Sequence, residues 1–227
     1  MVVLTGAGMS AESGLKTFRD SGGLWEGRDV MEVASIDGWR ANPAIVLQFY
    51  NERRKQLLEV EPNEAHKLLA KMEALYDLTI ITQNVDDLHE RAGSTKIIHL
   101  HGELLKMCDE AENSIVYEIK KDIQLGDKMR GGKQLRPFIV WFGEEVPLIE
   151  RAIEIVQEAD ILVIIGTSMV VYPAAGLIEM ASENVPILIL DPHKPSVTDT
   201  NSNIHFIQKN AVDGLPHVFE LIKKMTR

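Results

Sequence analysis

Three short stretches of the sequence hold residue types whose spacing could carry chemistry. Val2, Val3 and Leu4 form an apolar run that breaks at Thr5 into Gly6-Ala7-Gly8, the pattern of a buried strand feeding a tight turn. Glycine in such a turn permits positive φ and lets a ligand approach the backbone closely. Met9 to Ser13 reads as a first helical turn, whose free N–H groups and positive dipole end would receive a phosphate. Gly6-x-Gly8-x-x-Ala11 is therefore a dinucleotide signal, although short glycine turns after strands are common. Gln83, Asn84 and Asp86 follow the apolar run 78–82, and open parallel sheets bind ligands at their strand ends. The same residue types also cap helices and close turns. His99 and His101 stand at a third strand end, read as pointing to opposite faces, with Gly102 leaving one side of His101 open. An imidazole, with an ordinary pKa of about 6.5, suits general acid–base work. His66, His193, His205 and His217 lack such a context and are read as structural.

Ordinary hydride transfer is not indicated. A Rossmann dehydrogenase should show an acid roughly 20 positions after its glycine turn, closing a second strand on a ribose. Here Gly14 leads into Thr17-Phe18-Arg19-Asp20 and the loop Ser21-Gly22-Gly23-Leu24-Trp25. The next strand, 78–82, ends without a ribose-binding carboxylate at its tip.

The elements that must position these residues alternate. Residues 25–40 mix charges and glycines and read as a loop with short helical pieces. Asn42-Pro43 starts a helix that runs to about Leu58, and Leu68, Leu69, Met72 and Leu75 fall at helical spacing. A short helix is expected at 87–91, strands at 96–98, 138–142, 160–165, 186–190 and 204–207, and helices at 148–158, from Pro173, and at 215–225. Apolar strands alternating with amphipathic helices predict an α/β fold, a Rossmann-like parallel sheet with helices on both faces. The polar, glycine-bearing segment 103–134 reads as a small inserted lobe. One domain is expected over 1–227, with a core of about 1–24, 60–102 and 137–227 and a lobe of about 25–59 and 103–136.

The 227-residue chain is long enough to bury a sizeable core, and its 45% hydrophobic and 26% charged residues are ordinary for a globular protein. A formal charge of −10 argues against non-specific nucleic-acid or anionic-membrane binding and mildly favours basic, lysine-bearing partners. No apolar run approaches the roughly 20 residues of a membrane span. The start at Met1-Val2-Val3 is already strand-like and lacks a signal peptide's basic region; so abrupt a beginning is expected where a few native residues precede it. Cys108, the single cysteine, suits a reducing cytoplasm.

Five ordered blocks resemble the sirtuins, NAD-dependent protein deacylases: G-A-G-M-S-A-E-S-G-L-K-T-F-R-D at 6–20, T-Q-N-V-D-D-L-H at 82–89, H-L-H-G-E-L at 99–104, V-W-F-G-E at 140–144 and G-T-S at 166–168. The resemblance implies that NAD is consumed as a co-substrate. The acyl-lysine oxygen attacks C1′ of the nicotinamide ribose as nicotinamide leaves, the 2′-hydroxyl attacks the resulting imidate, and water releases lysine and O-acyl-ADP-ribose. His101 would be the base for a ribose hydroxyl, and Asn84 would order ribose and water. Gln83 would hold a ribose and Asp86 the nicotinamide carboxamide. Gly6, Ala7, Gly8, Glu12, Thr17, Phe18, Arg19, Gly166, Thr167, Ser168 and Ala211 would complete the NAD site, and Val140, Phe142 and Gly143 would meet the acyl substrate. A family asparagine is aligned with Ile189, which leaves the adenosine contacts there undefined.

Two departures stand out. Sirtuins commonly carry two cysteine pairs holding a structural zinc in the inserted lobe, whereas this lobe offers Cys108 and no histidine between Gly102 and Pro137. A tetrahedral site needs four nitrogen or sulfur ligands, so a zinc-free lobe is expected, held by packing of Ile115, Val116, Tyr117, Ile119, Ile123 and Leu125. Tyr50 and Arg53, three apart on one predicted helix, share a face. Within the resemblance, F-Y-N-E-R-R at 49–54 and Ala34 match the subclass that prefers succinyl- and malonyl-lysine, with Arg54 pointing away. The expected partners are acylated lysine proteins or peptides, with no nucleic acid or membrane. An ADP-ribosyltransferase using the same NAD site, or a non-catalytic NAD or ADP-ribose sensor, are the rival readings.

Overall fold

The computed structural model describes residues 1–16, 24–25, 27–111, 116–129, 132–194 and 203–226. In chain order the elements are β1 (Val2–Thr5), β2 (Leu24–Trp25), β3 (Arg28–Asp29), α1 (Val30–Val33), α2 (Ile36–Ala41), α3 (Pro43–Glu59), α4 (Glu64–Met72), β4 (Thr79–Thr82), α5 (Leu88–Ala92), β5 (Ile97–His99), β6 (Gly102–Asp109), β7 (Val116–Glu118), β8 (Leu135–Ile139), α6 (Ile149–Gln157), β9 (Leu162–Ile165), β10 (Ile187–Leu190), β11 (Ile204–Ile207) and α7 (Ala211–Met225). Six strands form one parallel sheet in the order β11-β10-β9-β1-β4-β5.

Because successive side chains of a strand alternate faces, the continuous apolar runs serve two cores at once. Val3, Val163, Ile165, Leu188 and Leu190 pack with Leu69 and Met72 of α4 and Leu215, Val218 and Ile222 of α7. Val2, Leu4, Leu162, Ile164, Ile187 and Ile189 pack with Ala152 and Val156 of α6 and with Leu177. The chain therefore has the α/β fold with helices on both sheet faces. Asparagine side chains cap α3 and α4: Asn42 Oδ1 accepts the Ile45 N–H, and Asn63 Oδ1 accepts those of Ala65 and His66.

Several boundaries differ from expectation. Met9–Ser13 is no α-helix; Ala7–Met9 and Ala11–Ser13 are two short 3-10 turns ended by Gly14 at φ 99°. The helix after Pro173 is also a 3-10 helix, Ala174–Met180. β8 begins at Leu135 and ends at Ile139, because its register is set by antiparallel pairing with β6 (Asp109 to Leu135, Gly102 to Ile139). α7 begins four residues earlier than read, at Ala211, since its cap comes from outside the segment: Glu12 Oε2 accepts the Val212 N–H at 2.8 Å.

A third core joins α1, α2 and α3 to the antiparallel sheet β7-β6-β8, around Trp39, Phe49, Tyr50, Leu104, Ile123 and Trp141. Of the expected packing residues, Ile119 and Ile123 are buried, Leu125 is 63% exposed, and Ile115 lies outside the described residues. Buried polar groups reinforce this lobe. Arg54, 1% exposed, donates from Nε to Leu104 O at 3.0 Å, and from Nη1 to Asn51 Oδ1 at 2.7 Å and Lys121 O at 3.4 Å. Asn51 also brackets Ile123, accepting its N–H at 3.0 Å and donating to its carbonyl at 2.9 Å. Buried Asp109 accepts the N–H groups of Ala111 and Lys133. Arg136 grips Glu144 through two hydrogen bonds, at 2.6 and 2.9 Å, and lies 3.5 Å from the centre of the Trp141 ring.

Arg54 thus points away from the cleft, as expected, but into the lobe's interior. Arg54→Met would strand buried acceptors, each worth about 1–3 kcal/mol. The expected loss is about 3 kcal/mol, or roughly 6–12 °C in melting temperature. Lys55→Met, which removes the exposed Lys55–Asp122 pair, should cost no more than about 1 kcal/mol. Equal melting curves for the two variants would show that Arg54 does not hold the lobe.

Candidate active site

The tips of β1, β4, β9 and β10 open into a cleft of about 830 Å³ that runs beneath the lobe. Every described candidate borders it: Gly6, Ala7, Gly8, Glu12, Gln83, Asn84, Asp86, His101, Gly166, Thr167, Ser168 and Ala211, together with Ala34, Tyr50, Arg53, Val140, Phe142 and Gly143. Thr17, Phe18 and Arg19 lie outside the described residues.

The floor is the glycine turn. Neither Gly6 nor Gly8 takes positive φ, contrary to the expectation; both are small because the turn lies against the tip of β9. Gly8 N–H donates to Gly166 O at 2.8 Å, and a Cβ on Gly8 would stand 2.6 Å from Gly166 Cα. The turn's backbone is thereby left bare of side chains for a ligand's close approach, while the N–H groups of Gly6, Gly8, Met9 and Ser10 are donated to the carbonyls of Ile165, Gly166, Gly6 and Ala7. Glu12 borders the cleft too, but its Oε2 is engaged in capping α7.

Around this floor stands a buried polar network centred on Ser10, 1% exposed, which the residue-by-residue reading missed. The Ser10 hydroxyl donates to Asp86 Oδ2 at 2.9 Å and accepts from Asn84 Nδ2 at 3.1 Å, with His66 Nε2 behind it at 3.5 Å. The serine lies inside the block at 6–20, so the only sequence signal for it was its motif. Asn84 donates its backbone N–H to Thr82 Oγ1 at 3.0 Å, and Gln83 Nε2 donates to Thr167 Oγ1 at 3.1 Å, tying the β4 tip to the β9 tip. Burial raises the Asp86 carboxyl to about 6, against the opposing hydrogen bonds from Ser10 and the Leu88 N–H.

His99 and His101 do not differ by strand alternation, since residues two apart share a face. They diverge because β5 ends at His99 and a turn carries His101 onward. His99 is held by Glu90 at 2.7 Å and by Asn84 O at 3.2 Å, while His101 borders the cleft. His101 Nδ1 lies 3.0 Å from Gln83 O. A carbonyl only accepts, so Nδ1 carries the proton and Nε2 keeps its lone pair. Burial lowers the His101 pKa, with the Gln83 carbonyl pulling the other way, so the neutral base is favoured. Gly102 is demanded by backbone geometry: φ is 81°, and a Cβ there would collide with Phe138 O. Of the other histidines, His66 is buried beside His89, whereas His193, His205 and His217 are exposed to solvent.

Under the lobe, Phe142 lies beyond β8 and bridges instead to Ser35: Phe142 N–H donates to Ala34 O at 2.9 Å, and Ile36 N–H to Phe142 O at 3.0 Å. Tyr50 is 1% exposed, and its oxygen accepts the Trp141 indole N–H at 3.0 Å. Burial raises its pKa, so the phenol stays protonated and able to donate. Arg53 Nε and Nη1 are buried without a hydrogen-bond partner among the described residues, the guanidinium lying 5.0 Å from the Phe49 ring centre. Ile189 is buried in the sheet interior and does not border the cleft; Leu190, Asp191, Pro192 and His193 of that segment do.

The sequence pattern of the Sir2 family matches residues 6–173. An NAD-dependent protein deacylase of Helicobacter pylori strain J99 is 55% identical over 225 residues, covering 97% of this chain and 96% of the relative. One of Bacteroides thetaiotaomicron is 53% identical over 228 residues, covering 98% and 97%. A solved Sir2 homologue in complex with NAD superposes with a TM-score of 0.88 at 35% identity, over 100% of this chain and 90% of that one. With the motif blocks gathered around a single cleft and these similarities spanning almost the whole chain, the chain belongs to the Sir2 family.

Proposed function

We propose that this chain is an NAD-dependent protein deacylase acting on acylated lysines of proteins or peptides and releasing nicotinamide and O-acyl-ADP-ribose. The observation that carries the reading is His101, with its proton held on Nδ1 by Gln83 O and its basic Nε2 free to serve the same cleft as Asn84 and Asp86. NAD supplies the electrophilic ribose carbon; the chain's residues bind, orient and move protons. The glycine turn receives the pyrophosphate, Gln83 and Asn84 hold the ribose, and Asp86 takes the carboxamide. His101 accepts the proton of a ribose hydroxyl as it becomes a nucleophile. Val140, Phe142 and Gly143 flank the incoming acyl-lysine. The cytoplasm is the compartment we assign, since a chain with the single cysteine Cys108 forms no internal disulfide and suits a reducing compartment.

His101→Ala should lower deacylation of an acetyl-lysine peptide by roughly 10²–10⁴-fold, with NAD binding reduced far less. Because the base works unprotonated and burial lowers its pKa, wild-type activity should persist below the pH at which an ordinary imidazole protonates. Nicotinamide release and peptide mass give the readout. Near-normal turnover in the variant removes His101 from the mechanism; a mass gain on protein in place of acyl loss would make the chain an ADP-ribosyltransferase, and neither change a sensor.

Acidic acyl groups are the substrates we assign to the inner end of the cleft. The two unpartnered guanidinium nitrogens of Arg53 match a terminal carboxylate, and the Tyr50 O–H adds a donor. Charge-assisted hydrogen bonds contribute about 1.5–3 kcal/mol each, so Arg53→Met should slow succinyl-lysine turnover by at least about tenfold while sparing acetyl-lysine. Lys55→Met is the control. An equal loss on both substrates would mean that Arg53 is structural.

The lobe, in this reading, holds no zinc. Among the described residues no three of His, Cys, Asp and Glu stand together as a metal site, and Arg54, Asn51 and Asp109 bind the loops that a metal would otherwise clamp. Purified protein should carry no stoichiometric zinc, and a chelator should leave its melting temperature unchanged. One tightly bound zinc per chain by elemental analysis refutes this.

A further inference from the structure

Three consecutive carbonyls leave the tip of β4, and each meets a donor from residues 99–101. Thr82 O accepts the Leu100 N–H at 2.9 Å, and Gln83 O lies 3.0 Å from His101 Nδ1. Asn84 O lies 3.2 Å from His99 Nδ1. The segment carrying Gln83, Asn84 and Asp86 is thus stitched to the segment carrying His101. One of the three stitches belongs to a ring, His99, that has no part in the reaction described above.

His99 differs from His101 in having two acceptors. Its Nδ1 faces the Asn84 carbonyl, and its Nε2 lies 2.7 Å from Glu90 Oε1. A carbonyl and a carboxylate only accept, so both bonds form only when both ring nitrogens carry protons. That form is an imidazolium, and its surroundings suit it. The charged and titratable groups facing the ring among the described residues are Glu90 and His89 of α5, Asp86 beyond β4 and Glu103 of β6. Three are carboxyl groups, and burial holds His89 neutral. Burial pulls the His99 pKa down, but the hydrogen bond and charge of Glu90, the charge of Glu103 and the Asn84 carbonyl outweigh it and raise the pKa above the ordinary value.

Removal of one proton leaves a single donor for two acceptors. The bond to Glu90 is short and charge-assisted, the stronger of the two, so the remaining proton stays on Nε2. Asn84 O then faces a ring lone pair, and with the His99 side chain only 8% exposed, water does not replace the lost donor. His99 gains its partners on folding. Its second proton therefore stabilises the folded site fully below the pH at which a free imidazole titrates, and that stabilisation is lost as pH rises through the raised value.

We propose that His99 is a positioning residue held as an imidazolium by Glu90, and that its second ring proton fixes the Asn84 backbone for the reaction at His101. The proposal rests on the deacylase reading and adds an alkaline limit to it. The site works above the pH at which His101 becomes a base and below the pH at which His99 ceases to be a cation.

The test has two readouts. Long-range nitrogen–proton NMR of the wild-type protein reports how many protons each histidine ring carries. One ring should stay doubly protonated after the pH has passed the ordinary imidazole value of about 6.5, and Glu90→Gln should lower its titration by about one pH unit. The second readout is kcat for an acetyl-lysine peptide at saturating NAD, followed from acid to alkaline pH. Wild-type kcat should fall on the alkaline side, and Glu90→Gln should move that fall toward lower pH by the same amount while leaving the acid side in place. His99→Gln, with no second proton to lose, should turn over at least about tenfold more slowly and lose the alkaline fall. Wild-type rings that are all singly protonated above that pH overturn the proposal, whether or not the variants fold. So does an alkaline fall that Glu90→Gln leaves in place, or an equal loss at every pH in His99→Gln, which would mark a merely structural ring. Acyl loss by wild type with no alkaline fall overturns this proposal alone; no acyl loss at any pH overturns the deacylase reading and the proposal together.

Discussion

The hydrogen bond from Gly8 N–H to Gly166 O, with no Cβ between the two backbones, is the contact on which the site depends. It presses the turn after β1 against the tip of β9. Two strand ends distant in sequence thereby become one floor, with the β4 tip joined to it through Gln83 and Thr167. A methyl group on either glycine would need backbone to move, not a side chain to rotate, and backbone in a parallel sheet has nowhere to go. The cleft is therefore a property of the sheet, and its polar groups inherit the sheet's rigidity.

Above this floor the geometry follows from hydrogen-bond accounting. The Ser10 hydroxyl has one proton, given to Asp86, and accepts from Asn84. Each bond fixes the direction of the next, and buried polar atoms have no water to turn toward. Asp86 is raised to about 6 by the same burial that makes the network rigid. His101 shows the complementary effect: one carbonyl selects the tautomer, and the selected tautomer is a base.

The lobe meets a different demand. It must cover the cleft with loops whose polar groups are satisfied, and a buried arginine, a bracketing asparagine and a bidentate Arg136–Glu144 pair do this. These groups satisfy loop carbonyls and N–H groups that would otherwise be buried unpaired. Two neighbouring arginines divide the work: Arg54 gives Nε and Nη1 to the lobe and leaves only Nη2 without a partner among the described residues, while Arg53 leaves Nε and Nη1 so at the cleft.

By itself the sequence determined the fold class, the approximate place of every strand of the parallel sheet and many residues of the cleft, because apolar runs and motif blocks are local signals that tertiary contacts rarely reverse; it did not show β2, β3, β6 and β7, whose pairing lies in the lobe. Five blocks spread over more than 160 residues converge on one cleft, and Tyr50 and Arg53 both border it, as one helix face predicts. What only the tertiary structure decided concerns partners distant in sequence. The register of β8 is set by β6, the start of α7 by Glu12 across 200 residues, and the glycines by the crowding of Gly166 instead of by positive φ. Arg53 and Arg54 differ in role, and Ile189 and Asp191 in access, for the same reason. A side chain's composition and spacing are written in the sequence, but the atoms that satisfy or crowd it come from other segments, and these become neighbours only when the sheet closes.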